Sequence, residues 1–107
     1  MTIVGNLGFP RIGARRELKR ALEACWRGDI TGAELQATAR SLRHRHWRWQ
    51  ADAGVDVVPC NDFSLYDHVL DTAFLFDAIP APYRELADAD ALEAYFALAR
   101  GCQRNGV

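Results

Sequence analysis

The chain has 107 residues, half of them hydrophobic and a quarter charged. That composition fits one globular domain or a piece of one, and it excludes wholesale disorder. The net charge of −1 hides a split: residues 1–50 carry ten Lys/Arg against four Asp/Glu, and residues 51–107 carry three against ten.

No apolar run approaches the ~20 residues that a membrane-spanning helix needs. The start, MTIVGNLGFPRIGARR, does not have the charged-then-apolar pattern of a secretory leader. Cys25, Cys60 and Cys102 are odd in number and far apart. A disulfide framework or a structural zinc site is therefore not expected, and a cytoplasmic location is.

Thr2 to Leu7 is short, partly β-branched and apolar, so it reads as a strand; Gly8, Pro10 and Gly13 break it into an ordered loop. From about Arg15 to Arg27 the pattern is helical, with Leu18, Ala21, Leu22 and Cys25 forming one apolar stripe. Gly28 stands where a C-terminal glycine cap belongs. Thr31 and Glu34 form a capping box for a second helix to about Ala53, with Leu35, Ala39, Leu42, His46 and Trp49 as its inner positions and Gly54 as its stop.

Val55 to Val58 reads as a second, buried strand ended by Pro59. A helix is expected from about Ser64 to Asp77, burying Leu65, Val69, Ala73 and Phe76. Ile79 to Pro82 breaks the pattern. Asp90 and Glu93 cap a last helix to Arg100, with Leu92, Phe96 and Ala99 as its core face. Strand, two helices, strand and two helices suggest the opening of an α/β fold. Two strands leave exposed edges, however, and a (β/α)8 barrel needs ~250 residues. Taken alone, these 107 residues should be mostly helical.

Three groups of residues invite a chemical reading. In the first, Arg16, Lys19 and Arg20 share a helix face, and Arg11 and Arg15 approach from the loop before it. Such a set can hold phosphates or several carboxylates. The plainer alternative is a solvated face partnered by Glu17 and Glu23. The glycines match neither a dinucleotide fingerprint nor a P-loop.

The second group mixes Arg40, Arg43, Arg45 and Arg48 with His44, His46, Trp47 and Trp49. Arginine among aromatics can bind nucleic acid. Packing accounts for Trp49, however, the pI is near neutral, and nucleic acid is not expected as a partner. His44 and His46 lie on nearly opposite sides of a helix and cannot share a metal.

The third group, Asn61 to Asp71, follows a strand, where α/β folds collect functional groups. Asp67 reads as support for the first helical turn, Asp62 and His68 remain open, and Cys60 reads as a small buried residue.

The stretches LGFPRIGARRELKRALEACWRG, ELQATARSLRHRHWRWQADAGVDVVPCNDFSLYDHVLDTA and AIPAPY together resemble the N-terminal domain of cobalamin-independent methionine synthases. Order and spacing agree up to about Gly101. The resemblance implies two (β/α)8 barrels, with the zinc and most catalytic residues in the second. It also implies methyl transfer from a methyl-folate polyglutamate to homocysteine. In that family the RELK segment contacts the folate, which maps to Arg16, Glu17, Leu18 and Lys19 here, with Arg11, Arg15 and Arg20 as further possible anion contacts.

After Gly101 the family continues with a segment resembling EMTKWFDTNYHY, which is absent from this sequence. The expectation is therefore an incomplete barrel domain over 1–101 and a tail over 102–107. No catalytic residue or metal ligand is expected in this chain, and no turnover or bound cofactor, the zinc belonging to the parent enzyme. The rival reading is a non-catalytic helical module that self-associates through exposed apolar faces and keeps an anion-binding helix start.

Overall fold

The computed structural model describes residues 1–103. Its elements are α1 (Glu17–Arg27), α2 (Gly32–Asp52), α3 (His68–Leu75), a 3-10 turn (Ala81–Tyr83), α4 (Arg84–Ala89) and α5 (Ala91–Arg100). The chain divides into two compact units, Met1–Leu65 and Tyr66–Val107. Of the expected tail over 102–107, residues 104–107 lie outside the described residues.

The first unit is a helical hairpin. α1 closes on Gly28, which sits at φ 81 with its N–H turned back to the last helical carbonyls, and Asp29 N–H reaches Ala24 O at 2.9 Å. This left-handed closure is what glycine permits without a Cβ penalty. Thr31 and Glu34 then form the capping box reciprocally. Thr31 Oγ1 accepts from Glu34 N–H at 3.2 Å, and Glu34 accepts from Thr31 N–H at 2.7 Å.

Leu18 and Leu22 of α1 pack with Leu35, Ala39 and Leu42 of α2, all buried. The inner stripe of α2 ends differently from the sequence pattern. His46 is buried as expected, but the next inner position is Gln50, 4% exposed, while Trp49 is 43% exposed. Gln50 can be buried because both ends of its amide are satisfied. Its nitrogen donates to His46 O at 3.0 Å, and its oxygen accepts from Asn6 at 2.8 Å.

The two expected strands do not form as ladders. Among the described residues there is one parallel bridge, Gly5 to Val57. Val4 O accepts from both Asp56 N–H and Val57 N–H, and Val4 N–H donates to the Asp56 side chain at 2.8 Å. Ile3, Val4 and Val57 are exposed, so the second segment is not the buried strand that its valines implied. The physical reason is isolation: a parallel pair is stable only with further strands and covered faces.

The second unit gathers Leu86, Ala94 and Ala97, with Phe74, Tyr83 and Ala87 against them. α3 is shorter than the sequence suggested, because Asp67 is its N-cap and accepts from Leu70 N–H at 3.0 Å. The helix therefore opens four residues after Ser64, where it was expected to start. It does not bury the stripe expected of it: Val69 is 80% and Phe76 76% exposed. Tyr95 explains the late start. Its hydroxyl accepts from Tyr66 N–H at 3.0 Å and Asp67 N–H at 2.9 Å, which holds that backbone extended.

α4 was not legible as a separate helix. The last helix is capped by Asp90, which accepts from Leu92 and Glu93 N–H at 3.0 Å. Its buried positions are Ala94, Tyr95 and Ala97, while Leu92, Phe96 and Ala99 are half-buried flanks.

Candidate functional site

The candidate site lies in the first unit, at the start of α1. Gly13 adopts φ 91, and Arg16 N–H bonds to Gly13 O at 3.0 Å. Arg16 itself sits at φ 59, ψ 35, the left-handed region, and has no side-chain cap for the helix it opens. An arginine in that region is strained by about 1–2 kcal/mol. The turn fixes the directions of the basic residues around it: Arg15, Arg16, Lys19 and Arg20 are exposed, and Arg11 is half-buried. Leu18 is fully buried against α2 and anchors the turn from beneath.

Glu17 does not join the exposed face. One carboxylate oxygen accepts from Arg15 N–H at 2.6 Å. The other pairs with the Arg45 guanidinium, 28 positions away on α2. The Arg45 bond, followed by the Arg15 bond, holds the Glu17 pKa below the usual carboxylate value. Lys19 makes a loose, exposed pair with Glu23 at 3.8 Å. Pairs of this kind contribute little and exchange readily. Among the described residues, no acidic side chain pairs with Arg15, Arg16 or Arg20.

Positive charge here is electrostatically misplaced. The N-terminal end of a helix already carries a partial positive charge, and cations in the first turn are unfavourable there. A strained arginine and several unmatched cations at one helix start are two broken local rules in one place, the pattern expected of a binding site for an anion.

The other groups are placed less suggestively. Arg43 lies over Phe63 at 5.2 Å and Arg45 over Trp49 at 5.9 Å. These arginines therefore stack on aromatics of their own chain. His46 packs against Phe9 at 4.6 Å between ring centroids. Burial, and then the nearby Arg45 charge, lower its pKa. Asp62 accepts from Phe9 N–H at 2.8 Å and tethers the loop before α1 to the loop after the second extended segment.

His68 begins α3 in the other unit and is exposed. Cys60 is exposed and free, which corrects the expectation of a buried residue. Sequence reasoning missed the role of Arg45, because no local spacing links it to Glu17.

The described residues form a mainly helical fold whose first helix opens on a cluster of exposed cations. The chain belongs to the family described as cobalamin-independent synthase, N-terminal domain, whose sequence profile matches residues 3–106. A Xylella fastidiosa (strain M23) 5-methyltetrahydropteroyltriglutamate–homocysteine methyltransferase is 72% identical to it over 107 residues. That match covers all of this chain and 14% of the relative. A Bifidobacterium animalis enzyme of the same name is 55% identical over 104 residues, covering 96% of this chain and 14% of its own. A fission-yeast protein, named a probable enzyme of this kind, is 54% identical over 98 residues, covering 92% and 13%. The chain thus spans about one seventh of the length of these relatives.

Among the described residues, no three His, Cys, Asp or Glu side chains converge where a metal ion could sit. The described residues do not fit a zinc site. No helix among the described residues is long and apolar enough to cross a membrane.

Proposed function

We propose that this chain forms one wall of the folate site in a methyltransferase that makes methionine from homocysteine and 5-methyltetrahydrofolate polyglutamate. Arg16 and Lys19 contact the carboxylates of the glutamate tail, Leu18 anchors their turn, and Glu17 orders it. Arg11, Arg15 and Arg20 extend the positive surface. The observation that carries this reading is the cluster of exposed, unmatched cations on a strained helix start. It is supported by the names of the relatives, which specify a triglutamate substrate. A chain of carboxylates suits arginine forks and a mobile lysine ammonium.

Residues 1–101 belong, in this reading, to the opening of a (β/α)8 barrel. The parallel bridge between Gly5 and Val57 is then the seed of its first two strands. The zinc and the methyl transfer belong to other parts of the parent enzyme, and three free thiols fit a reducing cytoplasm. The test is a titration of methyl-tetrahydrofolate triglutamate into the wild-type chain and Arg16→Ala/Lys19→Ala. At low salt the double variant should bind at least ~10-fold more weakly, one such factor being about 1.4 kcal/mol. Equal affinities would remove these residues from the site. A methyl-transfer assay on the 107 residues alone, supplied with zinc and both substrates, should show no turnover.

A second reading concerns assembly. Val69, Leu75 and Phe76 are exposed apolar side chains on and beside a helix with no buried residue. Such a surface favours self-association. Sedimentation should show a concentration-dependent dimer that Val69→Lys/Phe76→Lys abolishes; a wild-type monomer at high concentration would end this reading.

A further inference from the structure

We infer that Arg45 is a positioning residue for the anion-facing turn, acting through Glu17. The inference rests on the folate-wall reading and deepens it. The Arg45 guanidinium reaches from the middle of α2 to one oxygen of the Glu17 carboxylate, while the other oxygen takes Arg15 N–H at 2.6 Å. One carboxylate thus ties α2 to the backbone of the turn that carries Arg15 and Arg16.

The space around this tie is filled. A Cβ placed on Gly13 would lie 2.7 Å from the Glu17 oxygen and 3.1 Å from a Leu42 methyl. Glu17 is therefore wedged against the left-handed turn as well as bonded to it. Arg45 is in turn braced by the Trp49 ring at 5.9 Å. Three consequences follow for the basic face. The only acidic residue in the first turn of α1 is drawn inward and neutralised. The strained backbone at Arg16 is held between the Gly13 carbonyl on one side and the Glu17 tie on the other. The side chains of Arg15 and Arg16 are left to face outward, where a string of carboxylates can meet them.

Within RELK, the acidic residue then has a role opposite in kind to its neighbours. It orders the turn and does not touch the ligand. Simple electrostatics and positioning make opposite forecasts for one substitution. Glu17→Gln removes a negative charge beside an anion site, so charge alone would tighten anion binding. Loss of the Arg45 tie loosens the turn and weakens it.

The experiment titrates methyl-tetrahydrofolate triglutamate into the 107-residue chain, with Arg16→Ala as the reference for the site itself. Glu17→Gln and Arg45→Gln should each weaken binding about 5–10-fold. The double variant should be no worse than either single one, because the two residues act through one tie. Arg45→Lys should recover part of the loss, which a merely structural defect would not. Tryptophan fluorescence confirms that each variant keeps its fold, and a variant that unfolds is replaced by Arg45→Met.

Tighter binding by Glu17→Gln, or wild-type affinity in Arg45→Gln while Arg16→Ala is weakened, overturns the positioning role and leaves the folate wall standing. Wild-type affinity in Arg16→Ala overturns both, as does the absence of saturable binding by the wild-type chain.

Discussion

Leu18→Ala tests the link between core and site most directly. Leu18 stands inside the RELK stretch, yet its side chain is fully buried between α1 and α2. Truncation to alanine removes three carbons that were out of water. At ~0.8 kcal/mol per carbon, the transfer part alone is about 2.4 kcal/mol. The cavity left against Leu35, Ala39 and Leu42 adds to that, and the observed range for such changes is ~2–5 kcal/mol. A unit the size of Met1–Leu65 has a total stability of only ~3–10 kcal/mol. The substitution should therefore remove at least about a fifth of it, and most of it at the lower end of that stability range.

The assay is urea unfolding followed by tryptophan fluorescence. All three tryptophans, Trp26, Trp47 and Trp49, belong to this unit, so the signal reports it selectively. A loss below ~1 kcal/mol would mean that α1 and α2 are not packed as described, and the geometry of the basic turn would fall with them.

Two further outcomes are expected from the same unit. Thr31→Ala breaks the capping box and leaves Glu34 N–H without its acceptor, so the urea midpoint should drop by the equivalent of about 1 kcal/mol; an unchanged midpoint would mean that the box contributes nothing. His46 has a lowered pKa because burial, and then Arg45, disfavour its charged form. The unfolded chain then binds the extra proton first. Stability is fully present above the ordinary value of ~6.5 and is lost as pH falls below it, by at most ~1.4 kcal/mol per pH unit. Glu17 and Glu34, whose pKa values are also lowered, add losses only in the lower carboxylate range. His46→Phe should flatten the upper window, and a slope that persists would assign it to another group.

Local signals were legible where one short-range interaction decides the outcome. Gly28 and the Thr31–Glu34 pair act within one helical turn, and both ends formed as read. Longer reach was illegible. Asp67, and not Ser64, caps α3, because the Tyr95 hydroxyl, 28 positions away, holds the preceding backbone extended. Trp49 gave way to Gln50 because an asparagine 44 positions earlier satisfies the glutamine amide. The expected strands lacked neighbours to complete a sheet, which no residue within them could supply.

What the sequence by itself determined is the helical hairpin, its caps, the cationic composition of its opening turn and membership of the cobalamin-independent synthase family. Periodicity, capping and motif spacing are properties of neighbouring residues, and they survive whatever else the chain does. Only the tertiary structure decided which charges in RELK face outward. It bent Arg16 into the left-handed region and paired Glu17 with Arg45. Those choices depend on α2 lying against α1, a contact between residues far apart in the chain that the sequence had left in two separate groups.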